Sequence, residues 1–204
     1  PLSGILGLTQ LVMEQTAPSA QNYADLKEIE KAVFRCKKII TSLLSFARQD
    51  KFRPEPVNVH EALEETLTLC DRQMELKGIK IVKRFGEGLP PINADFQQLM
   101  QVFLNLFNNA RDSMPDGGAM TIATRLAPGS VPPRVEIEIS DTGKGIPQDI
   151  LNRVFDPFFT TKPPGQGTGL GLSVCLGIVN KHNGTITAGS VPGKGSSFVL
   201  TLPA

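Results

Sequence analysis

With 204 residues, 40 % of them hydrophobic and 20 % charged, the chain has the balance of a soluble globular protein with room for one large domain or two modest ones. A formal net charge of +1 leaves no global basic field to recommend nucleic acid or an anionic membrane, and no apolar run approaches the ~20 residues of a membrane helix. Three cysteines, Cys36, Cys70 and Cys175, lie far apart without metal-ligand spacing; they fit a reducing, cytosolic setting better than a disulfide framework, each as a small buried hydrophobe.

The chain opens on two helical patterns. In "PLSGILGLTQLVMEQ" Ile5, Leu8 and Val12 share a stripe, and "TAPSAQ" breaks the pattern at Pro18. The second helix carries Leu26, Ile29, Val33, Cys36, Ile40, Leu43 and Ala47 at alternating steps of three and four, a heptad seam. One such hairpin has too little core to stand alone, so either a second copy completes a four-helix bundle or the helices pack on the rest of the chain. Residues 53–58, "RPEPVN", hold two prolines and read as a linker. Beyond it come a helix near 59–77, a strand in "IKIVKRF", and a helix near 95–114 opened by the capping pattern Asp95-x-x-Gln98. Strands follow at "MTIATRL" and "RVEIEIS", then a helix after "GTGLGL" and strands at "GTITAGS" and "SSFVLTLP". The alternation is not strict, which favours an α/β sandwich over a doubly wound parallel sheet.

Chemistry concentrates in three places. In "RVEIEIS" Val135, Ile137 and Ile139 alternate with polar residues, and Asp141 keeps their parity, so it points to the buried side; Gly143 and Gly145 follow at once. The helix "DFQQLMQVFLNLFNNARDSM" is apolar at Leu99, Val102, Phe103, Leu106 and Ala110, while Gln98, Gln101, Asn105, Asn109 and Asp112 line another face. For Gln98 and Gln101 a solvated face is the better reading. Asparagine, however, is a poor interior helix residue, and a row of amide and carboxylate oxygens suits a hard cation such as Mg2+. In "GQGTGLGLSV" Gly165, Gly167, Gly169 and Gly171 recur at every second position and run into an apolar helix. Unobstructed amides there suit phosphate, although the spacing is neither that of a P-loop nor that of the dinucleotide fingerprint.

In order, these pieces resemble the Bergerat-fold (GHKL) ATP-binding domain of two-component sensor histidine kinases, a fold shared with type II topoisomerases and MutL. "NLFNNARDSM" is similar to the family's N box, "DTGKGIP" to its first glycine box, "FDPFFTTK" to its F box and "GTGLGL" to its second glycine box. The closing "GKGSSFVLTLP" matches as well, and the first two helices resemble the dimerisation hairpin. The resemblance implies an α+β fold: residues 1–52 as a dimerisation and histidine-phosphotransfer hairpin truncated at its start, 53–58 as linker, and 59–204 as the catalytic ATP-binding sandwich. By resemblance Asp141 accepts a hydrogen bond from the adenine amino group, and Gly143, Gly145 and Ile146 let the backbone approach the base. Asn109 is the implied Mg2+ ligand. Asn105, one turn earlier, stands where hydrolysing relatives carry a water-activating glutamate, which favours phosphoryl transfer to a presented acceptor over steady hydrolysis. Asp112 takes the position where many of these kinases hold a lysine near the phosphates, and Lys162 is the replacement cation. Residues from about 157 to 168 become an ATP lid, with Phe155, Phe158 and Phe159 at its base or in plain core. Gly167, Thr168, Gly169, Leu170, Gly171 and Leu172 line the phosphates.

The family's acceptor motif resembles His-Glu-x-x-x-Pro-Leu, and "PLSGILGL" matches its end, which places the phosphorylated histidine upstream of Pro1. His60 and His182 read as structural, so the chain is expected to bind ATP without labelling itself. The implied whole is a cytoplasmic homodimer that binds Mg2+ and ATP and passes the γ-phosphoryl group to histidine, then to an aspartate on a response-regulator receiver domain. Any membrane contact lies outside this fragment, and no nucleic acid is involved. "NARDSM" and the short lid are most similar to the subgroup that includes nitrogen-regulatory kinases. A GHKL-type ATPase and a non-catalytic, nucleotide-gated binding module are the alternatives; Asn105 and the heptad hairpin argue against the first, and turnover with acceptor labelling separates all three.

Overall fold

The computed structural model describes residues 1–47, 52–163 and 167–204. The chain divides into two compact units, Pro1–Asp50 with Phe158–Leu170, and Lys51–Pro157 with Gly171–Ala204.

In the first unit α1 (Leu2–Glu14) and α2 (Gln21–Ala47) pair as a hairpin. Thr9 and Val33 are buried, and Gln10 Nε2 donates to Glu30 Oε1 at 2.9 Å. The two helices cover only a narrow strip of each other. Ile5, Leu8, Val12, Ile29 and Ile40 therefore stay exposed, and Cys36 is exposed rather than buried as its place in the seam predicts. The side chains of Leu43 and Ala47 fall outside the described residues, as does Gly165.

The second unit runs β1 (Glu55–Val57), α3 (Val59–Leu76), β2 (Ile79–Phe85), β3 (Ile92–Ala94), α4 (Phe96–Ser113), β4 (Gly118–Leu126), β5 (Arg134–Asp141), α5 (Gln148–Leu151), α6 (Gly171–Lys181), β6 (Thr185–Val191) and β7 (Gly195–Pro203). The main sheet has the order β2-β4-β5-β7-β6, parallel only between β2 and β4. That mixed order rules out the doubly wound arrangement. Met120, Ile122, Ile137, Ile139 and Leu200 of the sheet share one core with Leu63 and Met74 of α3, Phe103 and Leu106 of α4, and Val179 of α6. Part of the expected linker is a strand: β1 pairs antiparallel with β3, and Pro56 sits opposite Asn93 on this short ribbon, where a missing N–H is tolerated.

Local chemistry sets the helix starts. Asn58 caps α3 by accepting from the His60 N–H, and Asp95 caps α4 by accepting from the Gln98 N–H at 3.1 Å. His60 stacks on Phe85 with ring centroids 4.6 Å apart, and its Nε2 lies 2.8 Å from Thr124 Oγ1. Burial lowers its pKa from the ordinary 6.5, outweighing an upward pull from Glu64. The folded state thus favours neutral His60. Its contribution to stability is full above pH 6.5 and is lost as pH falls through the lower folded-state value. Urea titrations across that window should show stability falling on acidification, with a shallower slope for His60→Gln. Equal slopes would remove His60 from the account.

His182, read from the sequence as structural, is buried just after α6. Its Nε2 accepts from the Asp95 N–H at 2.9 Å, so the proton sits on Nδ1, which donates to Ile178 O at 2.8 Å. Phe52 meets the ring edge-on with centroids 4.9 Å apart, and Lys181 Nζ lies 4.9 Å above Phe52. Among the described residues no helix is long and apolar enough to cross a membrane.

Candidate functional site

β5 ends on Asp141, whose parity with Ile137 and Ile139 turns it to the helix-covered face, where it is 8 % exposed. Its Oδ1 accepts from the Gly143 N–H and contacts the Ser113 hydroxyl, both at 2.8 Å. Burial nevertheless pushes the carboxyl above its ordinary value, against the lowering effect of Gly143, Ser113 and the Ser196 backbone amide. The carboxyl keeps capacity to accept from a partner.

Gly143 has no side chain because none fits: a Cβ would overlap Ser113 Oγ and lie 2.5 Å from Ser113 O. Gly145 adopts φ +70, and a Cβ there would run into Val191 O. The loop is fastened to the β6–β7 hairpin. Ile146 N–H donates to Ser190 Oγ at 2.7 Å, and Gly193 N–H donates to Lys144 O at 2.8 Å.

On α4 the predicted apolar stripe is buried throughout, at Leu99, Val102, Phe103, Leu106 and Ala110. The polar face is half-buried. Asn105 Nδ2 donates to Gly171 O at 3.3 Å, which ties this helix to the first turn of α6. Asn109 is half-buried, and its amide hydrogen-bonds no other described residue. Asp112 is held by Arg111, whose Nε and Nη2 donate to Oδ1 at 3.1 and 2.9 Å, while Nη1 donates to Gln73 Oε1 at 2.5 Å. The Asp112 carboxylate is thereby paired with its own neighbour. Cys175 is buried against Val102 O, with its thiol pushed up to about 12 by burial. Among the described residues no cluster of three or more His, Cys, Asp or Glu forms a metal cage.

The expected lid residues from Phe158 onward lie in the first unit, and Pro157 and Phe155 in the second. Phe155 is half-buried and packs edge-on against Phe198 with centroids 6.4 Å apart. Phe158 is 63 % exposed with φ 67, which excludes a core role for that ring. Its backbone lies against Gly169, where a Cβ would overlap it. Thr160 Oγ1 accepts from the Lys162 N–H at 3.2 Å, and Thr168 Oγ1 accepts from the Leu170 N–H at 3.3 Å. Leu170 is buried, Gly167 is half-buried, and Leu172 packs against the core at the start of α6.

Two participants escaped the sequence reading. Ser113 continues the Asn105–Asn109 spacing by four and could have been found from it. Ser190, which anchors the loop after Asp141, carries no such signal.

Comparison with known proteins identifies the family. The profile of the "Histidine kinase-, DNA gyrase B-, and HSP90-like ATPase" family matches residues 94–204. The chain is 36 % identical to sensor kinase CckA of Brucella abortus (strain 2308), over 99 % of the chain and 22 % of that protein. It is 37 % identical to sporulation kinase A of Bacillus subtilis (strain 168), over its whole length and 32 % of that protein. A crystal structure of full-length ShkA in complex with AMPPNP superposes on all of the chain and 43 % of ShkA, with a TM-score of 0.78 at 26 % identity. The chain thus spans less than half the length of these relatives, and it belongs to the histidine kinase-, DNA gyrase B- and HSP90-like ATPase family, among sensor histidine kinases.

Proposed function

We propose that the chain is the catalytic core of a sensor histidine kinase, binding Mg-ATP and transferring its γ-phosphoryl group to a histidine upstream of Pro1, and from there to a response-regulator aspartate. The observation that carries this reading is the buried Asp141 carboxyl, held through Oδ1 at the end of β5 beside glycines that cannot carry side chains. An adenine amino group satisfies such an acceptor, whereas a guanine carbonyl meets repulsion. Asn109 presents an amide oxygen without a hydrogen bond among the described residues, a donor suited to Mg2+ that takes its other oxygens from phosphate and water. Bound Mg2+ would neutralise charge on the phosphates. Lys162 and the second glycine box form the phosphate side, with 157–168 as the lid. Asn105 acts through Gly171, fixing the start of α6. It supplies no base, so catalysis rests on positioning and electrostatics.

Residues 1–52 serve as the dimerisation hairpin, 53–58 as the connection and 59–204 as the ATP-binding domain. The exposed Ile5, Leu8, Val12, Ile29 and Ile40 support a homodimer, since a second hairpin would cover them in a four-helix bundle. The protein works in the cytoplasm. Neither histidine of the chain is the acceptor, because His182 is buried with both ring nitrogens engaged and His60 is held against Phe85 and Thr124.

The test supplies γ-labelled ATP and Mg2+ to this chain and to one extended upstream through the acceptor histidine, following free phosphate and protein-bound label. Acid-labile, alkali-stable label on the extended protein alone, with little free phosphate, is the expected result. Sustained phosphate release without label would assign an ATPase instead, and silence in both channels a binding module.

A further inference from the structure

Ser113 ends α4 with one hydroxyl proton and two oxygens to give it to. Ala110 O lies 2.7 Å from its Oγ and Asp141 Oδ1 lies 2.8 Å away. The Ser113 carbonyl also accepts from the Lys144 N–H at 3.1 Å, so the residue touches both the carboxyl and the loop that follows it.

We infer that Ser113 is a positioning residue for the nucleobase: its hydroxyl fixes the Asp141 carboxyl in the orientation that meets the base, and so sets the pH range over which an adenine nucleotide binds. The inference rests on the nucleotide reading of Asp141. With Asp141 ionised, Ser113 donates to Oδ1 and, with the Gly143 N–H, holds that oxygen from two sides, which fixes the direction of the second oxygen. With Asp141 protonated, the hydroxyl can turn to Ala110 O and offer a lone pair instead. Ser113 therefore favours the ionised form without obstructing the neutral one, and in the ionised form the second oxygen always lacks a proton and is ready to accept from an amino group. Beside these two donors, the Ser196 backbone amide also favours the ionised carboxyl. β4 places Met120 opposite Asp141, β7 places Ser196 there, the loop supplies Gly143, and α4 supplies Ser113. Of the ionisable residues on these segments, Asp112 and Arg111 pair with each other, and neither they nor Lys144 and Lys194 act on the Asp141 carboxyl.

The experiment measures the Kd for ATP by calorimetry from pH 5 to pH 8.5, for wild type, Ser113→Ala and Ser113→Gly. Wild-type affinity should fall on the acid side as Asp141 takes up a proton. In both variants that fall should begin higher, by about one pH unit, with about tenfold weaker binding at pH 7. A residue that only fills space beside Gly143 would weaken binding by one factor at every pH. Parallel profiles, or profiles that coincide with wild type, overturn the inference. Both variants remove the same hydroxyl with different backbone preferences, so the pH profile stays readable if the alanine variant folds poorly. If wild type itself binds no ATP at any pH, the nucleotide reading has failed and Ser113 is not the cause.

Discussion

Asp141→Asn is expected to weaken ATP binding by about 100-fold while leaving the nucleotide-free protein no less stable at pH 7. Both halves follow from the same carboxyl. The Asn carbonyl oxygen can replace Oδ1 as acceptor for Gly143 and Ser113, which turns the new NH2 group toward the place where the base presents its amino group. Donor then faces donor. Losing a hydrogen bond to a charged acceptor costs about 1.5–3 kcal/mol, and the upper end corresponds to roughly 100-fold in Kd. Guanine reverses the match, because its carbonyl can accept from the new NH2, so the preference for ATP over GTP should collapse in the same variant.

The stability half depends on sign. Burial raises the folded-state pKa of Asp141 above its ordinary 3.8, in spite of the hydrogen bonds it receives. A raised carboxyl contributes stability below the unfolded value, and that contribution is lost as pH rises through the folded one. At pH 7 the ionised carboxylate is therefore a net cost, and a neutral amide does not carry it. Thermal unfolding without nucleotide, beside calorimetric titration with ATP and GTP, measures both halves. A variant that binds ATP like wild type ends the adenine role. A variant whose unfolding midpoint drops along with its affinity makes Asp141 a structural residue first.

What could be read in advance has a physical pattern. β5 and α4 were legible because each carries its burial pattern within one short window: alternation from Val135 to Asp141, and two stripes of opposite character between Gln98 and Asp112. β1 and β3, three residues each, are too short to show a period, and they exist because they pair with each other. Pro56 made that ribbon look like a linker. Cys36 was misplaced for a related reason, since periodicity reports that a face is apolar and not which neighbour covers it. The Ser113–Asp141 contact joins residues 28 apart in sequence, and only the packing of α4 on the sheet brings them together. The glycines were legible as a pattern but not as causes. That Gly143 accommodates Ser113 and Gly145 accommodates Val191 O is a property of the folded loop.

The two asparagines of α4 should separate cleanly when each is replaced by alanine. Asn109 hydrogen-bonds no other described residue, so Asn109→Ala removes no protein contact of that kind and should leave the unfolding midpoint nearly unchanged. On the proposed reading its loss falls on the phosphoryl-transfer step: without Asn109 as Mg2+ ligand several kcal/mol of charge stabilisation would be at stake, and a loss of about 3 kcal/mol is a rate reduction of roughly 100-fold. Asn105→Ala is the opposite case. It leaves Gly171 O without its partner at the start of α6, a loss of about 1 kcal/mol that should lower the unfolding midpoint by a few degrees. Its effect on rate should be near tenfold, because it acts through the placement of α6 and touches no reacting atom. Asn105→Glu should not create a hydrolase, since a carboxylate in that place would set an acceptor against the Gly171 carbonyl. Single-turnover transfer rates measured at several Mg2+ concentrations, beside thermal unfolding, distinguish the pair. Asn109→Ala should need more Mg2+ for half-maximal rate, and Asn105→Ala should keep the wild-type requirement. An unchanged Mg2+ dependence in Asn109→Ala would remove it as the metal ligand. A raised requirement in Asn105→Ala would mean that Asn105, and not only Gly171 through it, reaches the phosphates.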